Sequence, residues 1–207
     1  MRWSFLAVMC ATVAAISCGF AGAGEFDPVL NSQYADWSLM PPSIAAFTVC
    51  HGFGCRDRTE VAFSASDRVK MAQILRTGQS SPAAERKAIA TAVAWFDRRV
   101  GPETGTMHHV ARAGMSEMSN PDSQFDCIDA SRNTTSLLLV LDELHLLKHH
   151  RVERPAGRGA LIDGRLPHET AVVADLTTQK EWAIDPWTHA AGERPDVIPL
   201  EQWQQDC

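Results

Sequence analysis

The run Leu137-Leu138-Leu139-Val140-Leu141 constrains this chain more than any other segment. It lies in FDCIDASRNTTSLLLVLDEL, which reads as a helix from Cys127 to about Leu147. Such a run is apolar on every side of a helix, so its middle is buried all round and not along one stripe. The other elements must therefore wrap it. With 45% of its 207 residues apolar, the chain has enough material for that core.

Two helices are expected before it. The first spans Asp67–Arg76, with Ser66 as N-cap, Asp67 suiting the positive end and Gly78 the stop. The second opens at Ser81, with Pro82 in the first helical position. Ile89, Ala92, Val93, Phe96 and Val100 form one face of it, and Gly101-Pro102 ends it. Residues 24–45 hold Pro28, Pro41 and Pro42 and no sustained period, so they read as an irregular arm. Residues 101–122, rich in Gly, Met, Ser and His, read as a long loop, either one wall of a cleft or a plain surface connection.

After the central helix the pattern changes to short strands. Arg151–Glu153 and Ala160–Ile162 are candidates. From Glu169 to Leu176 the apolar side carries Thr170, Val172, Ala174 and Leu176; a turn at 177–180 and a strand to Asp185 complete a hairpin. A tight turn there sets Val172 opposite Asp185 and His168 opposite His189. Helices first and antiparallel strands later is an α+β order.

The beginning of the chain reads as a targeting segment. Arg2 precedes an apolar stretch from Phe5 to Ile16, and Ala21-Gly22-Ala23 fits a small-residue cleavage site. Residues 1–23 are therefore expected to be a removed signal peptide, which implies a periplasmic or secreted protein; a lipoprotein anchored at Cys18 is the competing reading. The stretch is shorter than the about 20 apolar residues a spanning helix needs, and no later run approaches that length. A balance of 19 Lys and Arg against 25 Asp and Glu argues against a nucleic-acid partner. Residues 24–65 then form the arm with the cysteine loop, and 66–207 the main domain.

Export implies a compartment where disulfides persist. Cys50 and Cys55 flank the glycine-rich loop His51-Gly-Phe-Gly54 and are expected to pair, with Cys207 free or an alternative partner. Cys127 stands apart at the start of the long helix. Unpaired N–H groups and the aligned dipole at a helix start favour a thiolate, and a nearby imidazolium favours it further. The backbone N–H of Cys127 would face an oxyanion, with Gln124 or Asn120 as candidates for a second donor. Asp126 opposes ionisation unless it caps the helix. His168 opens PHETAVVADL and Asp185 ends EWAIDPW, so a base and an orienting carboxylate follow on two strands. The ordinary alternative for Cys127 is a buried structural cysteine.

FDCIDAS, PHETAVV and WAIDPW, in that order, resemble the transglutaminase-like branch of the papain-type fold, in particular the small exported bacterial transglutaminase-like cysteine proteinases. The likeness covers roughly residues 80–190. It implies Cys127 as nucleophile, His168 as base and Asp185 as the carboxylate that orients it. It also implies a catalytic domain over 66–207, no metal or organic cofactor, and a peptide or protein amide as substrate. Departures are Pro-Trp after Asp185, Phe125-Asp126 where a Gly is usual, and Glu169-Thr170 after the histidine. A cysteine peptidase or amidase is the first expectation. Transglutaminase-type amine transfer and a non-catalytic envelope binding protein of the same fold are the alternatives. Histidine-based metal sites at His108-His109 or His145, His149 and His150, and a half zinc site at Cys50, His51 and Cys55, are weaker readings.

Overall fold

The structure is a computed structural model that describes residues 28–159 and 167–205. The expected signal peptide and Cys18, the strand candidate 160–162 and Cys207 lie outside the described residues. Within them the fold is mixed α+β, with five helices and two antiparallel sheets.

The helices are α1 (Pro28–Asp36), α2 (Ala65–Arg76), α3 (Pro82–Thr104), α4 (Cys127–Glu143) and α5 (Leu200–Gln205). A hairpin of β1 (Phe47–His51) and β2 (Asp57–Val61) forms the first sheet. The second has order β3-β4-β5-β6, from β3 (His150–Arg158), β4 (His168–Asp175), β5 (Glu181–Asp185) and β6 (Asp196–Pro199). As its all-round apolar run requires, α4 is central: Leu137, Leu138, Val140 and Leu141 are fully buried. They share one core with Ile89, Val93 and Phe96 of α3, Phe47 and Val49 of β1, and Ala171, Val173 and Ile184 of the second sheet.

The supposed arm belongs to that core. Leu30, Tyr34 and Trp37 are spaced as one helical face and are all buried, and Tyr34 Oη lies 2.6 Å from Ser136 Oγ of α4. The prolines fall at or beyond the helix ends, so they punctuate α1 without preventing it. The cysteine loop is likewise the tip of a hairpin. Ser64, not Ser66, caps α2: its hydroxyl accepts from Asp67 N–H while Asp67 accepts from Ser64 N–H, a reciprocal pair that Ser66 is two residues too late to make. α3 runs through Pro102 and stops at Gly105, whose left-handed backbone (φ 76°) lets its N–H reach the Gly101 carbonyl. Pro102 removes only one bond close to the helix end, and the surrounding Val100, Gly101 and Thr104 are buried.

The sheet is covered on both faces, not on one. Ala171, Val173 and Ile184 pack toward α4, while Val172 and Ala183 pack on Leu200 and Trp203. The β4–β5 turn comes one residue earlier than the tight-turn reading has it. Asp175 Oδ1 accepts from Thr177 N–H (2.8 Å) and Thr178 N–H (3.0 Å), and Gln179 is left-handed, which closes the loop over 176–179. Ala171 then faces Ile184 and Val172 faces Ala183. Pro155, which has no N–H, sits on the edge strand β3 within an irregularity between Glu153 and Ala156. Among the described residues no helix is long and apolar enough to cross a membrane.

Candidate active site

α4 starts at Cys127 because its cap is strong. Asp126 Oδ1 accepts from Asp129 N–H at 2.8 Å, and Asp129 Oδ2 reaches back to Asp126 N–H at 3.3 Å. The first backbone N–H groups of a helix have no partner within it. The cap uses the one on Asp129, so those of Cys127 and Ile128 are left as donors beside the thiol. The candidate side-chain donors Gln124 and Asn120 are engaged elsewhere. Gln124 accepts from Val110 N–H and donates to Ser123, and Asn120 also turns to Ser123.

The β4–β5 register brings His168 and Asp185 together. Continued by one pair, it sets Asp185 across from Thr170, whose hydroxyl donates to the Ile184 carbonyl at 2.9 Å. His168 is then the diagonal neighbour of Asp185 on one face, within reach of a long side chain. Its Nε2 lies 2.6 Å from Asp185 Oδ2, and both residues are buried. The same oxygen accepts from the indole N–H of Trp203 at 2.9 Å. Trp203 sits on α5, near the end of the described chain, and nothing in its sequence context assigns it to this site. The imidazole is flanked by two indoles, with ring centres 4.7 Å away for Trp187 and 5.2 Å for Trp203. An ionised carboxylate only accepts, so Nε2 carries the proton toward Asp185 and Nδ1 of the neutral ring keeps its lone pair. Among the described residues that Nδ1 is buried and has no hydrogen-bond partner.

Cys127 and His168 line one cleft of about 450 Å³ together with Ile128, Arg158, Pro167 and Glu169. The thiol is free and half-buried. Among the described residues no hydrogen bond joins it to His168. It rests instead near the backbone N–H of Glu169. The topology accounts for this: His168 and Asp185 side with Val172 and Ala183 on the α5 face of the sheet, whereas α4, which Cys127 starts, packs on the other face, and thiol and imidazole share the cleft at the start of β4.

The electrostatics also differ from the expected activated thiolate. Burial pushes the Cys127 thiol up to about 11, and the carboxylates of Asp126, Glu169 and Asp185 push it the same way; only the Glu169 N–H opposes them. Capping therefore does not silence Asp126. Burial likewise raises Glu169, against the nearby Ser131 hydroxyl and the charges of Arg132 and His168. Asp129 is pushed up to about 7 by burial and by Asp126, against the N–H groups that it accepts from.

The expected loop over 101–122 begins only at Gly105, where α3 stops, and it reaches the site through Trp187. Arg112 N–H donates to the Trp187 carbonyl (2.7 Å) and the Trp187 indole donates to the Ala113 carbonyl (3.1 Å). Behind it lies a narrow cavity of about 30 Å³ between α3 and α4, bordered by Phe96, Val110, Phe125 and Trp187.

His51, His109, His149 and His150 have structural partners. His109 pairs with Asp97 at 2.9 Å, and His51 with Thr59 and the Asp122 carbonyl. The helical pair His145 and His149 does not form, because α4 ends at Glu143 and His145 is left-handed. His149 lies against the Gln79 carbonyl and His150 against Glu85. Cys50 and Cys55 form a disulfide. Among the described residues no three His, Cys, Asp or Glu side chains are grouped to hold a metal ion. No family model, no curated protein and no solved structure matches the chain.

Proposed function

We propose that this protein is an exported thiol-dependent acyl-transfer enzyme, a cysteine peptidase or amidase of the transglutaminase-like, papain-type kind. The observation that carries the reading is the buried chain Trp203–Asp185–His168 at 2.9 and 2.6 Å, which leaves an unpartnered Nδ1 on the cleft that Cys127 shares. A cysteine at the start of a central helix, with a histidine and an aspartate on neighbouring antiparallel strands, is what the family resemblance implies. The leader-like first residues support export, and the Cys50–Cys55 disulfide agrees with an oxidising compartment.

The resting thiol is protonated at neutral pH, so the chemistry starts by general base catalysis and not from a standing thiolate. A substrate amide enters the cleft. Sγ attacks its carbonyl carbon as Nδ1 of His168 takes the thiol proton, and Asp185 stabilises the imidazolium that forms. The tetrahedral oxyanion is held by the Cys127 and Ile128 N–H groups at the positive end of α4. His168 then returns the proton to the leaving amine as the C–N bond breaks, which leaves a thioester on Cys127. Water completes hydrolysis, or a second amine completes transfer.

The high thiol pKa and the missing Cys127–His168 bond favour the second reading, a non-catalytic binding protein of the same fold. Reaction of the purified chain with a p-nitrophenyl ester, followed by intact mass and peptide mapping, separates the two. The enzyme reading expects an acyl adduct on Cys127, turnover that Cys127→Ala abolishes, and turnover reduced by at least 100-fold in His168→Ala. Added primary amine then distinguishes transfer from hydrolysis. Equal turnover in Cys127→Ala would sink the proposal.

A further inference from the structure

The loop closed by Cys50–Cys55 grips the helix that carries the nucleophile, and the function above does not use it. Four successive residues, Gly52, Phe53, Gly54 and Cys55, have φ of 78°, 71°, 68° and 61°. Side chains rarely adopt that left-handed region, so Phe53 and Cys55 are strained there. The run turns successive N–H groups to one side, as anion-binding nests do. They meet the two capping carboxylates of α4. Gly54 N–H donates to Asp126 Oδ2 at 2.8 Å. Phe53 N–H donates to Asp129 Oδ2 at 2.8 Å and Cys55 N–H to Asp129 Oδ1 at 2.6 Å. One turn further along α4, the Asn133 amide accepts from Cys50 N–H at 2.7 Å and donates to the Cys50 carbonyl at 2.8 Å. Gly52 N–H donates to the Gln124 carbonyl at 3.1 Å on the approach to the helix. Cys127 thus stands between two carboxylates that are both bound to one disulfide-closed loop.

We propose that the Cys50–Cys55 loop is a positioning device for Cys127: the disulfide holds a strained row of N–H donors against Asp126 and Asp129, and so fixes the first turn of α4 and the thiol on it. This rests on Cys127 being the nucleophile, but the packing of the loop does not. Without the crosslink the left-handed run relaxes, the donors leave the carboxylates, and the first turn frays while the apolar middle of α4 stays packed. The thiol then gains solvent and loses its place in the cleft. Accessibility and catalysis consequently move in opposite directions.

The test uses the full chain and the double variant Cys50→Ala/Cys55→Ala, followed by circular dichroism, amide hydrogen exchange, iodoacetamide alkylation mapped to the Cys127 peptide, and p-nitrophenyl ester turnover. The variant is expected to keep a cooperative melt. Exchange at Asp129 and Ala130 should speed up at least tenfold while Leu138–Leu141 stay protected. Alkylation of Cys127 at pH 8 should speed up at least tenfold, with its pH midpoint moving down toward that of a free thiol, and turnover should fall at least tenfold. Asp129→Asn, which keeps the disulfide but weakens the acceptor for two of the donors, should shift each readout in the same direction. Unchanged exchange and alkylation would overturn the proposal. So would loss of the cooperative melt in the double variant, because the crosslink would then staple the whole fold and not one turn. If Cys127→Ala leaves turnover intact, the enzyme reading fails, and exchange and alkylation still decide whether the clamp exists.

Discussion

Replacing Trp203 by Phe tests the part of the site that comes from farthest along the chain. The indole N–H is one of two donors to Asp185 Oδ2, and Trp203 is only 2% exposed. Phe keeps an aromatic ring beside His168 and beneath the Arg158 guanidinium, which lies 4.3 Å from the indole centre. The change removes a hydrogen bond to a charged group, a loss of about 1.5–3 kcal/mol. The smaller ring adds roughly 1 kcal/mol of cavity and lost packing. For a chain of this size about 1 kcal/mol corresponds to roughly 2–4 °C in Tm, so the melt should drop by about 5–15 °C. Asp185 keeps its bond to His168 but loses its second anchor. A carboxylate that drifts lets the imidazole drift, and such misplacement of a catalytic group costs up to about 100-fold in activity. Guanidinium unfolding and ester turnover measure the two effects, and a cycle with Asp185→Asn measures their coupling. Trp203→Phe should cost much less stability and activity in the Asp185→Asn background than in the wild type. A stability loss below about 1 kcal/mol, or additive effects in the cycle, would refute the claim that Trp203 holds Asp185 through that bond.

The raised thiol pKa predicts that iodoacetamide labels Cys127 slowly at neutral pH and ever faster up to about pH 11; a plateau below pH 8 would mean a standing thiolate–imidazolium pair. Glu169→Gln removes one of the charges that oppose the thiolate, so the midpoint of that profile should move to lower pH, and an upward move would contradict the assignment. Away from the site, Glu85 is 1% exposed and accepts the N–H groups of Lys148 and His149, each at 2.9 Å from Oε2, while His150 Nδ1 lies 3.3 Å from Oε1. Glu85→Gln leaves these donors short of a charged acceptor and should destabilise by about 1.5–3 kcal/mol. Burial raises the Glu85 pKa, but the bonds from His150, Lys148 and His149 together bring it below the ordinary value. The stability it contributes is therefore present above the ordinary carboxylate range and lost as pH falls through its folded pKa. The gap between wild type and Glu85→Gln in guanidinium unfolding should narrow on acidification; a gap that widens would contradict it.

The parts of the fold governed by local rules were legible in the sequence. The all-round apolar run identified α4 as the centre, the spacing of Ile89, Val93 and Phe96 identified the inward face of α3, and the alternation after His168 identified β4. α1 was hidden because its three anchors, Leu30, Tyr34 and Trp37, are too few for a periodic signal and lie among prolines, whose punctuation dominated the reading. The hairpin β1–β2 was hidden because Asp57-Arg-Thr-Glu60 is polar almost throughout; it is held by pairing with β1 and by the disulfide, neither of which leaves a period. The capping of α2 turned on which of two nearby serines had a carboxylate three residues on, a rule that Ser64 satisfies and Ser66 does not.

The site shows the same division more sharply, because its weakest link in the sequence depended on a single turn. A turn over 177–180 sets Ala171 against Pro186 and leaves Asp185 stranded from His168. One residue earlier, Ala171 faces Ile184 and Asp185 falls on the diagonal of His168. The difference comes from Asp175, whose side chain binds two N–H groups of the loop and starts the turn sooner. Asp175 also binds the Lys180 carbonyl through its own N–H, at 2.9 Å, which completes the closing pair. A side chain ten residues from Asp185 thus decides whether a carboxylate meets the imidazole. Because strand register moves every later side chain with it, such a turn residue belongs to the site as much as the groups that touch. The thiol is placed differently: its position is set by the first turn of α4, by the loop bound to its cap and by the Glu169 N–H of β4, so its approach to His168 depends on how the start of α4 lies against the start of β4.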